Sequence, residues 1–227
     1  MRGTLAATGD PGCDDLVNTD PLALVIGMLL DQQMPIEWAF RGPARLAARL
    51  GDHLDPAAIA ALDPDAFVAL AAERPAIHRF PRAMAQRIQA LCAVVVADLE
   101  GDVSRLWRDA PSAEALYQRL VALPGFGDEK ARILIAVLAK RFGIRPDGWE
   151  RWADPFDDDE PRSVADIDGP DALARVRAWK AAQRAAGRSK TDPPPPATHG
   201  EAPDPSVPVG TAVPDPSVPT GGRRRRR

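Results

Sequence analysis

Apolar residues recur at helical spacing along most of the first 187 positions, and short polar turns separate the segments. Three segments open on an Asp–Pro pair, at Asp20, Asp55 and Asp63. Such a pair supplies a side-chain cap and a proline for the first turn, so each should begin a helix. β-branched residues cluster only in "AVVVAD" (93–98), where the helical pattern continues on both sides. The pattern predicts an all-α fold.

Three long helices carry the most regular pattern. "DPLALVIGMLLDQQ" (20–33) is apolar on nearly every side, which is typical of a buried helix, and its two glutamines are expected at its end. "FPRAMAQRIQALCAVVVADLEG" (80–101) and "DEKARILIAVLAKRFG" (128–143) alternate apolar and charged positions, and each stops at a glycine. These three helices should form the framework of the domain.

The last predicted helix and the segment after it mark the end of the globular part. "PDALARVRAWKAAQRAAG" (170–187) has a basic face and is expected to pack Leu173, Val176 and Trp179 on the body. The remaining residues contain few large apolar side chains and repeat "PDPSVP" twice, so they cannot offset the entropy of ordering. We expect three parts: an N-terminal segment (1–19), a helical domain (20–187) and a disordered proline-rich tail (188–227).

Overall charge says little about partners. The formal net charge is −3, yet five arginines close the chain and an acidic cluster, "DPFDDDE", occupies 154–160. Arginine outnumbers lysine by 25 to 4, a bias that GC-rich coding also produces. The terminal polyarginine can add nonspecific affinity for nucleic acid, or it can be a variable terminus without consequence.

The two cysteines exclude one class of site. Cys13 and Cys92 are far apart, so a four-cysteine zinc or iron–sulfur site is ruled out, and Cys92 lies in an apolar run that predicts a core position. The three histidines form no metal-spaced group, and no stretch has the roughly 18 apolar residues that a membrane span needs. We expect a monomeric cytoplasmic protein, associated with the nucleoid, without cofactor, metal or membrane contact.

The stretch "LPGFG" (123–127) joins two predicted helices and is typical of a helix–hairpin–helix. Gly125 and Gly127 should allow a tight reversal with φ values that a Cβ would penalise, while Phe126 packs between the helices. The amides of the hairpin and of the next helical turn would then point outward and bind a backbone phosphate. Glycines at a helix junction also make an ordinary αα-corner, so the hairpin alone leaves DNA binding open.

Several segments together resemble the helix–hairpin–helix base-excision DNA glycosylases, the HhH-GPD superfamily. The similar segments are "DPLALVIGMLLDQQ", "FPRAMAQRIQAL" and "LVALPGFGDEKARILIAVLAKRFG", in the order and approximate spacing of that superfamily over residues 20–154. The resemblance implies a two-lobed helical protein that binds duplex DNA, turns a damaged nucleotide into the cleft between the lobes and cleaves its N-glycosidic bond. The iron–sulfur loop of the endonuclease III branch is absent, because no cysteine follows Cys92.

The resemblance also implies a lysine nucleophile in the bifunctional members, two residues after the second hairpin glycine. Glu129 stands at that position here. The neighbouring Lys130 is rotated by about 100° around the helix, so we expect it to be a surface or phosphate-contacting residue. The chain should therefore lack lyase activity.

A catalytic carboxylate is implied further along the chain. Counting from the lysine position selects Asp147, whereas counting from "FG" at 142–143 selects Glu150. We favour Asp147, because it is positioned to N-cap the next helix, the setting in which the superfamily's aspartate is found. An Asp–Gly pair can equally form a turn without chemistry.

Gln33 matches a superfamily glutamine that approaches the gap left by an extruded base, and Gln32 precedes it; both can instead simply end a helix. Trp149 is predicted to contact DNA, and Trp38 and Trp152 are further candidates for stacking on a base, although tryptophan also packs in small helical domains. Other predicted DNA contacts are Gly125, Phe126, Gly127 and Lys130.

Three functions fit these observations. The first is a monofunctional DNA N-glycosylase that acts on damaged duplex DNA. The second is a nonenzymatic DNA-binding or damage-sensing protein that kept the hairpin and lost catalysis. The third is a helical interaction domain that no longer binds DNA, which would gain support if the acidic cluster (154–160) lined the cleft.

Overall fold

The computed structural model describes residues 1–192, and residues 193–227 lie outside the described part, including most of the predicted tail and the polyarginine. Within residues 1–192 there are eleven α-helices, one short 3-10 helix and no strand, so the all-α prediction is confirmed. The α-helices are α1 (Pro11–Thr19), α2 (Pro21–Leu30), α3 (Ile36–Arg49), α4 (Pro56–Ala61), α5 (Pro64–Ala72), α6 (Pro81–Leu99), α7 (Arg105–Arg108), α8 (Ala113–Val121), α9 (Asp128–Phe142), α10 (Trp149–Ala153) and α11 (Pro170–Ala185); the 3-10 helix is Val164–Asp166.

The Asp–Pro pairs begin helices as predicted. Asp20, Asp55 and Asp63 are the N-caps of α2, α4 and α5, and each carboxylate accepts from an amide of the first turn. Asp10 does the same for α1, a helix that the sequence analysis did not predict. These caps satisfy amides that have no partner inside the helix.

Helix α2 is buried along nearly its whole length, from Leu22 to Leu30. The prediction that it runs through the two glutamines was wrong. The backbone leaves the helix at Asp31 (ψ 74°), the Gln32 amide donates back to the Leu30 carbonyl, and Gln33 has φ +53°.

Two groups of helices meet at α2. Helices α4 and α5 pack on α6, whereas α8, α10 and the 3-10 helix pack on α9. Helix α2 contacts α1, α3, α6 and α9. A Cβ on Gly27 would lie 2.9 Å from the Phe40 ring, so the close approach of α2 and α3 requires glycine there. Residues Met1–Asp192 form one compact unit.

Both ends of the described chain pack on this body. Amides of Gly3, Thr4 and Ala6 donate to carbonyls of α1, α9 and Ile167. In α11, Leu173 and Val176 are buried and Trp179 is half-buried, as predicted. Cys92 is fully buried, which confirms its core position, and burial raises the pKa of its thiol to about 12. Over residues 1–192, no helix is long and apolar enough to cross a membrane.

Candidate functional site

The hairpin between α8 and α9 turns at Gly125, whose φ is +81°. A Cβ there would also lie 3.3 Å from Arg87 and 3.4 Å from Leu29, so both the backbone angle and the packing require glycine. The sequence analysis expected an unusual φ at Gly127 as well, and this was wrong. Its φ of −135° and ψ of −178° are ordinary extended values, and a Cβ would meet nothing within 4 Å. The space beside the Gly127 backbone is therefore open.

A row of backbone amides faces this end of α9 without a protein acceptor. Along the helix, the first amide with a hydrogen-bond acceptor is that of Ala131, which donates to the Gly127 carbonyl at 3.0 Å. Earlier amides of the hairpin and first turn find none within Met1–Asp192, namely those of Gly125, Gly127, Asp128, Glu129 and Lys130. Such amides at the positive end of a helix are suited to bind an anion.

The nearest carboxylate does not occupy this anion site. Asp128 accepts from the Tyr117 hydroxyl at 2.5 Å and from Arg132 Nε at 2.9 Å. The Tyr117 hydrogen bond, together with Arg132, lowers the pKa of Asp128. Because both partners hold the carboxylate, the amides stay accessible to an external anion.

The C-terminal end of α2 lies against the hairpin. Lys130 Nζ and Gln32 Nε2 both donate to the Leu29 carbonyl, and Arg87 donates to Gln32 Oε1 at 3.0 Å. Phe126 is half-buried against the core, and the Lys130 ammonium lies 5.9 Å from the centre of its ring. Residues from α2, α6 and α9 therefore meet at one place.

Lys130 is half-buried, not a surface residue. Burial lowers the pKa of its ammonium to about 8, although the nearby Asp31 carboxylate acts in the opposite direction. A half-buried lysine whose pKa is lowered by burial is a candidate for a functional site. The contact of Lys130 with DNA stays a prediction.

Glu129, which stands where the superfamily has its lysine, is tied to the segment after α11. Its Oε1 lies 2.8 Å from Lys190 Nζ. The carboxylate thus neutralises a cation at the edge of the site and offers no nucleophilic amine.

Asp31 is a residue that the sequence analysis missed. It follows α2 directly, it is half-buried, and its carboxylate forms no hydrogen bond or ion pair with any other residue of 1–192. Burial raises the pKa of Asp31, whereas Lys180, Lys190 and Lys130 act to lower it. Its position after a long apolar run was the available signal, but it looked like an ordinary end of a helix.

The predicted carboxylates lie elsewhere. Asp147 does not N-cap α10, because Gly148 (φ +71°) occupies that position without a side-chain cap. Asp147 and Glu150 are both exposed, and Trp149 between them lines a cavity with Lys140 and Arg145, near the C-terminal end of α9. The hairpin is at the opposite end of this helix of about 20 Å, although the end of α10 turns back toward it: the Trp152 ring lies 4.8 Å from that of Tyr117, whose hydroxyl donates to Asp128. A catalytic role for either acid stays a prediction.

Gln33 faces a second surface feature. It is exposed and lines a largely apolar groove with Trp38, His78 and Arg79, and Arg79 donates to its carbonyl. Trp38 is 47% exposed, and the Arg45 guanidinium lies over its ring, 5.3 Å from the ring centre; stacking of Trp38 on a base stays a prediction. Trp152, by contrast, is partly buried against the core. Trp149 is partly buried in the same way. Both tryptophans therefore pack on the core, and their contact with DNA stays a prediction.

The acidic cluster (154–160) faces internal cations. Asp158 forms an ion pair with the buried Arg162 at 2.7 Å, its carbonyl accepts from Lys140, and Glu160 accepts from the indole of Trp179. These partners account for two of its carboxylates within the fold. No group of three or more potential metal ligands is found in the part of the chain that the structure describes.

Comparison with known proteins agrees with this architecture. The model of the HhH-GPD superfamily of base excision DNA repair proteins matches residues 26–192, about three quarters of the chain. No curated protein matches the sequence significantly. Because the matched region holds the second half of α2, all of α6 and the hairpin with α9, the resemblance noted in the sequence is confirmed: the chain belongs to the HhH-GPD superfamily of base excision DNA repair proteins.

Proposed function

We propose that this protein is a monofunctional DNA N-glycosylase that binds damaged duplex DNA and releases a base by hydrolysis, without cleaving the strand. Membership of the superfamily supplies the general role in base excision repair. The reaction breaks the bond between C1′ of the sugar and a base nitrogen, and water supplies the new hydroxyl group.

The row of unpaired amides at the start of α9 is the observation that carries the proposal. A backbone phosphate can accept from them, and the open space beside Gly127 lets the phosphate approach the backbone. Contacts of this kind fix the position of the duplex without reading its sequence. The convergence of α2 and α6 on the hairpin places residues from both helices beside the proposed phosphate site.

The absence of lyase chemistry rests on Glu129. The position that would carry an amine nucleophile holds a carboxylate bound to Lys190. Sequence spacing predicts Asp147, or alternatively Glu150, as the carboxylate that assists hydrolysis.

DNA binding can be tested with a matched pair of glycines. Gly127 and Gly169 are both helix N-caps with extended backbone and open space at the Cβ position. We expect Gly127→Val to weaken binding to a duplex with an abasic analogue by about tenfold or more, since it blocks a phosphate contact. Gly169→Val should leave the affinity unchanged. Equal affinities of both variants for DNA would show that the hairpin is not part of the DNA interface.

Base release can be tested with duplexes that carry uracil, hypoxanthine, 8-oxoguanine, alkylated purines or oxidised pyrimidines. Hot alkali after incubation reveals abasic sites, so strand breaks that need alkali support a monofunctional glycosylase. Tight binding without release from any lesion would favour a nonenzymatic damage sensor. Scission without alkali, trapped by borohydride, would refute the absence of lyase activity and point to Lys130.

A further inference from the structure

Asp31 lies where three elements meet: the end of α2, the first turn of α9 and helix α11. Lys180 of α11, Lys190 of the segment that follows and Lys130 of α9 each act to lower the pKa of the Asp31 carboxyl, while Glu129 acts to raise it. None of the lysines comes within 4 Å of the Asp31 carboxylate to form an ion pair in residues 1–192. The carboxylate thus has three lysines within electrostatic range and is paired with none of them.

This arrangement does not stabilise the fold. A carboxylate beyond the last turn of a helix faces the negative end of the helix dipole, and partial burial of Asp31 without a hydrogen bond adds a further cost. Asp31 follows nine consecutive buried residues of α2, so its environment is largely apolar on one side. An unfavourable charge that no internal partner explains is typical of a functional group.

The position suits chemistry on a nucleotide that the hairpin holds. The Leu29 carbonyl accepts from Lys130, and a Cβ on Gly125 would lie 3.4 Å from the Leu29 side chain, so Asp31 is two residues from a residue that packs beside the hairpin. Beside the cluster, a cavity of about 380 Å³ lies between residues 34–37 and α11, and Lys180 lines it. Its walls include Met34, Ile36 and Val176, so an extruded base can enter a mostly apolar space.

We propose that Asp31, rather than Asp147 or Glu150, is the carboxylate that drives base release in this protein. This assignment rests on the proposed function. Asp31 accepts a proton from a water molecule as the water oxygen bonds to C1′. The C1′–N bond breaks, its electron pair leaves with the base, and the proton passes to the base nitrogen. The ionised carboxylate also attracts the positive charge that develops on the sugar.

The test compares Asp31→Asn with Asp98→Asn, the same change at an exposed position on α6. We expect Asp31→Asn to lower single-turnover base release by about 100-fold or more, the usual size of a proton-transfer contribution. Binding to a duplex with a neutral tetrahydrofuran abasic analogue should not weaken. Asp98→Asn should change neither quantity.

A second measurement does not require turnover. The affinity for a duplex with a cationic pyrrolidine analogue is divided by the affinity for the tetrahydrofuran duplex. Asp31→Asn should lower this ratio about tenfold or more, because a carboxylate close to the cation is lost. Asp98→Asn should leave the ratio as in the wild type.

Three results would overturn the assignment. Base release that survives in Asp31→Asn but disappears in Asp147→Asn or Glu150→Gln would assign the catalytic carboxylate to Asp147 or Glu150 instead. An unchanged pyrrolidine ratio in Asp31→Asn, with tetrahydrofuran binding intact, would refute the role of Asp31 while leaving DNA binding standing. A wild-type protein that binds neither duplex would refute the proposed function itself, and the assignment with it.

Discussion

The two ends of α9 carry similar residues in different surroundings. Each end has a glycine with positive φ, Gly125 before the helix and Gly143 after it, and each has a partly buried lysine. Lys140, near the C-terminal end, pairs with Asp166 at 2.7 Å and also donates to the Asp158 carbonyl. Lys130, in the first turn, has no carboxylate partner at ion-pair distance in the described part of the chain and donates only to the Leu29 carbonyl.

The two lysines differ in whether the fold compensates their charge. The charge of Lys140 is compensated within the fold, which is what a stabilising residue requires. The charge of Lys130 is only partly compensated, and the amides and carboxylate around it are also unsatisfied. An external ligand with complementary groups would satisfy them together, so the N-terminal end of α9 is the end that we propose binds DNA.

The largest effect is expected from breaking the ion pair at the C-terminal end. Lys140→Met leaves the Asp166 carboxylate, which is 9% exposed, without its cation. We expect a loss of about 3–5 kcal/mol in the free energy of unfolding, measured by thermal or urea denaturation. DNA affinity of the folded variant should be unchanged.

Lys130→Met is the matched variant at the other end. Burial already disfavours its ammonium, so this change should cost little stability and weaken DNA binding instead. The wild-type affinity should also fall between pH 7 and pH 9, because Lys130 loses its charge around a pKa of about 8, and the variant should lose this pH dependence. A stability loss as large as that of Lys140→Met would make Lys130 a structural residue.

An intermediate effect is expected from the two glycines. Alanine at either position is strained by roughly 1–2 kcal/mol, because both backbones are left-handed. At Gly143 the new Cβ meets nothing within 4 Å, so only stability should fall. At Gly125 it presses on Arg87 and Leu29, so thermal unfolding and DNA binding should both change. Unaltered DNA affinity in Gly125→Ala would show that the hairpin tolerates distortion.

Local rules predicted most of the fold. The caps at Asp20, Asp55 and Asp63 depend on residues within one turn of each other, as does the reversal at Gly125, and such signals can be read from a single sequence. The C-terminal end of α2 was misjudged because only the tertiary path of the chain decides where an apolar run stops being helical. Gly127 was misjudged because its backbone is extended, so glycine is not needed there for an unusual angle. The absence of a side chain instead leaves open space beside the backbone, which a single sequence does not reveal.

The candidate site is formed by contacts between residues far apart in the sequence, which local sequence patterns do not predict. Lys130 and Leu29 are 101 residues apart in the sequence, and Lys190 reaches Glu129 from beyond α11. No spacing within one segment indicates that these residues meet. Counting along the chain selected Asp147 instead, but the N-cap position that supported this choice belongs to Gly148.

The smallest effect is expected from Asp31, and its sign is opposite to that of most substitutions. The folded-state pKa of Asp31 lies above its unfolded value, so the folded protein binds the proton more tightly and loses stability as the pH rises past the unfolded pKa. Asp31→Asn removes this penalty, and we expect a gain of roughly 1 kcal/mol at neutral pH that disappears below about pH 4. Asp147→Asn, at an exposed turn, should give no comparable gain. Denaturation curves at several pH values measure both variants; a loss of stability in Asp31→Asn at neutral pH would mean that the surrounding lysines hold the carboxylate for the fold, and Asp31 would then resemble Asp166 at the other end of α9.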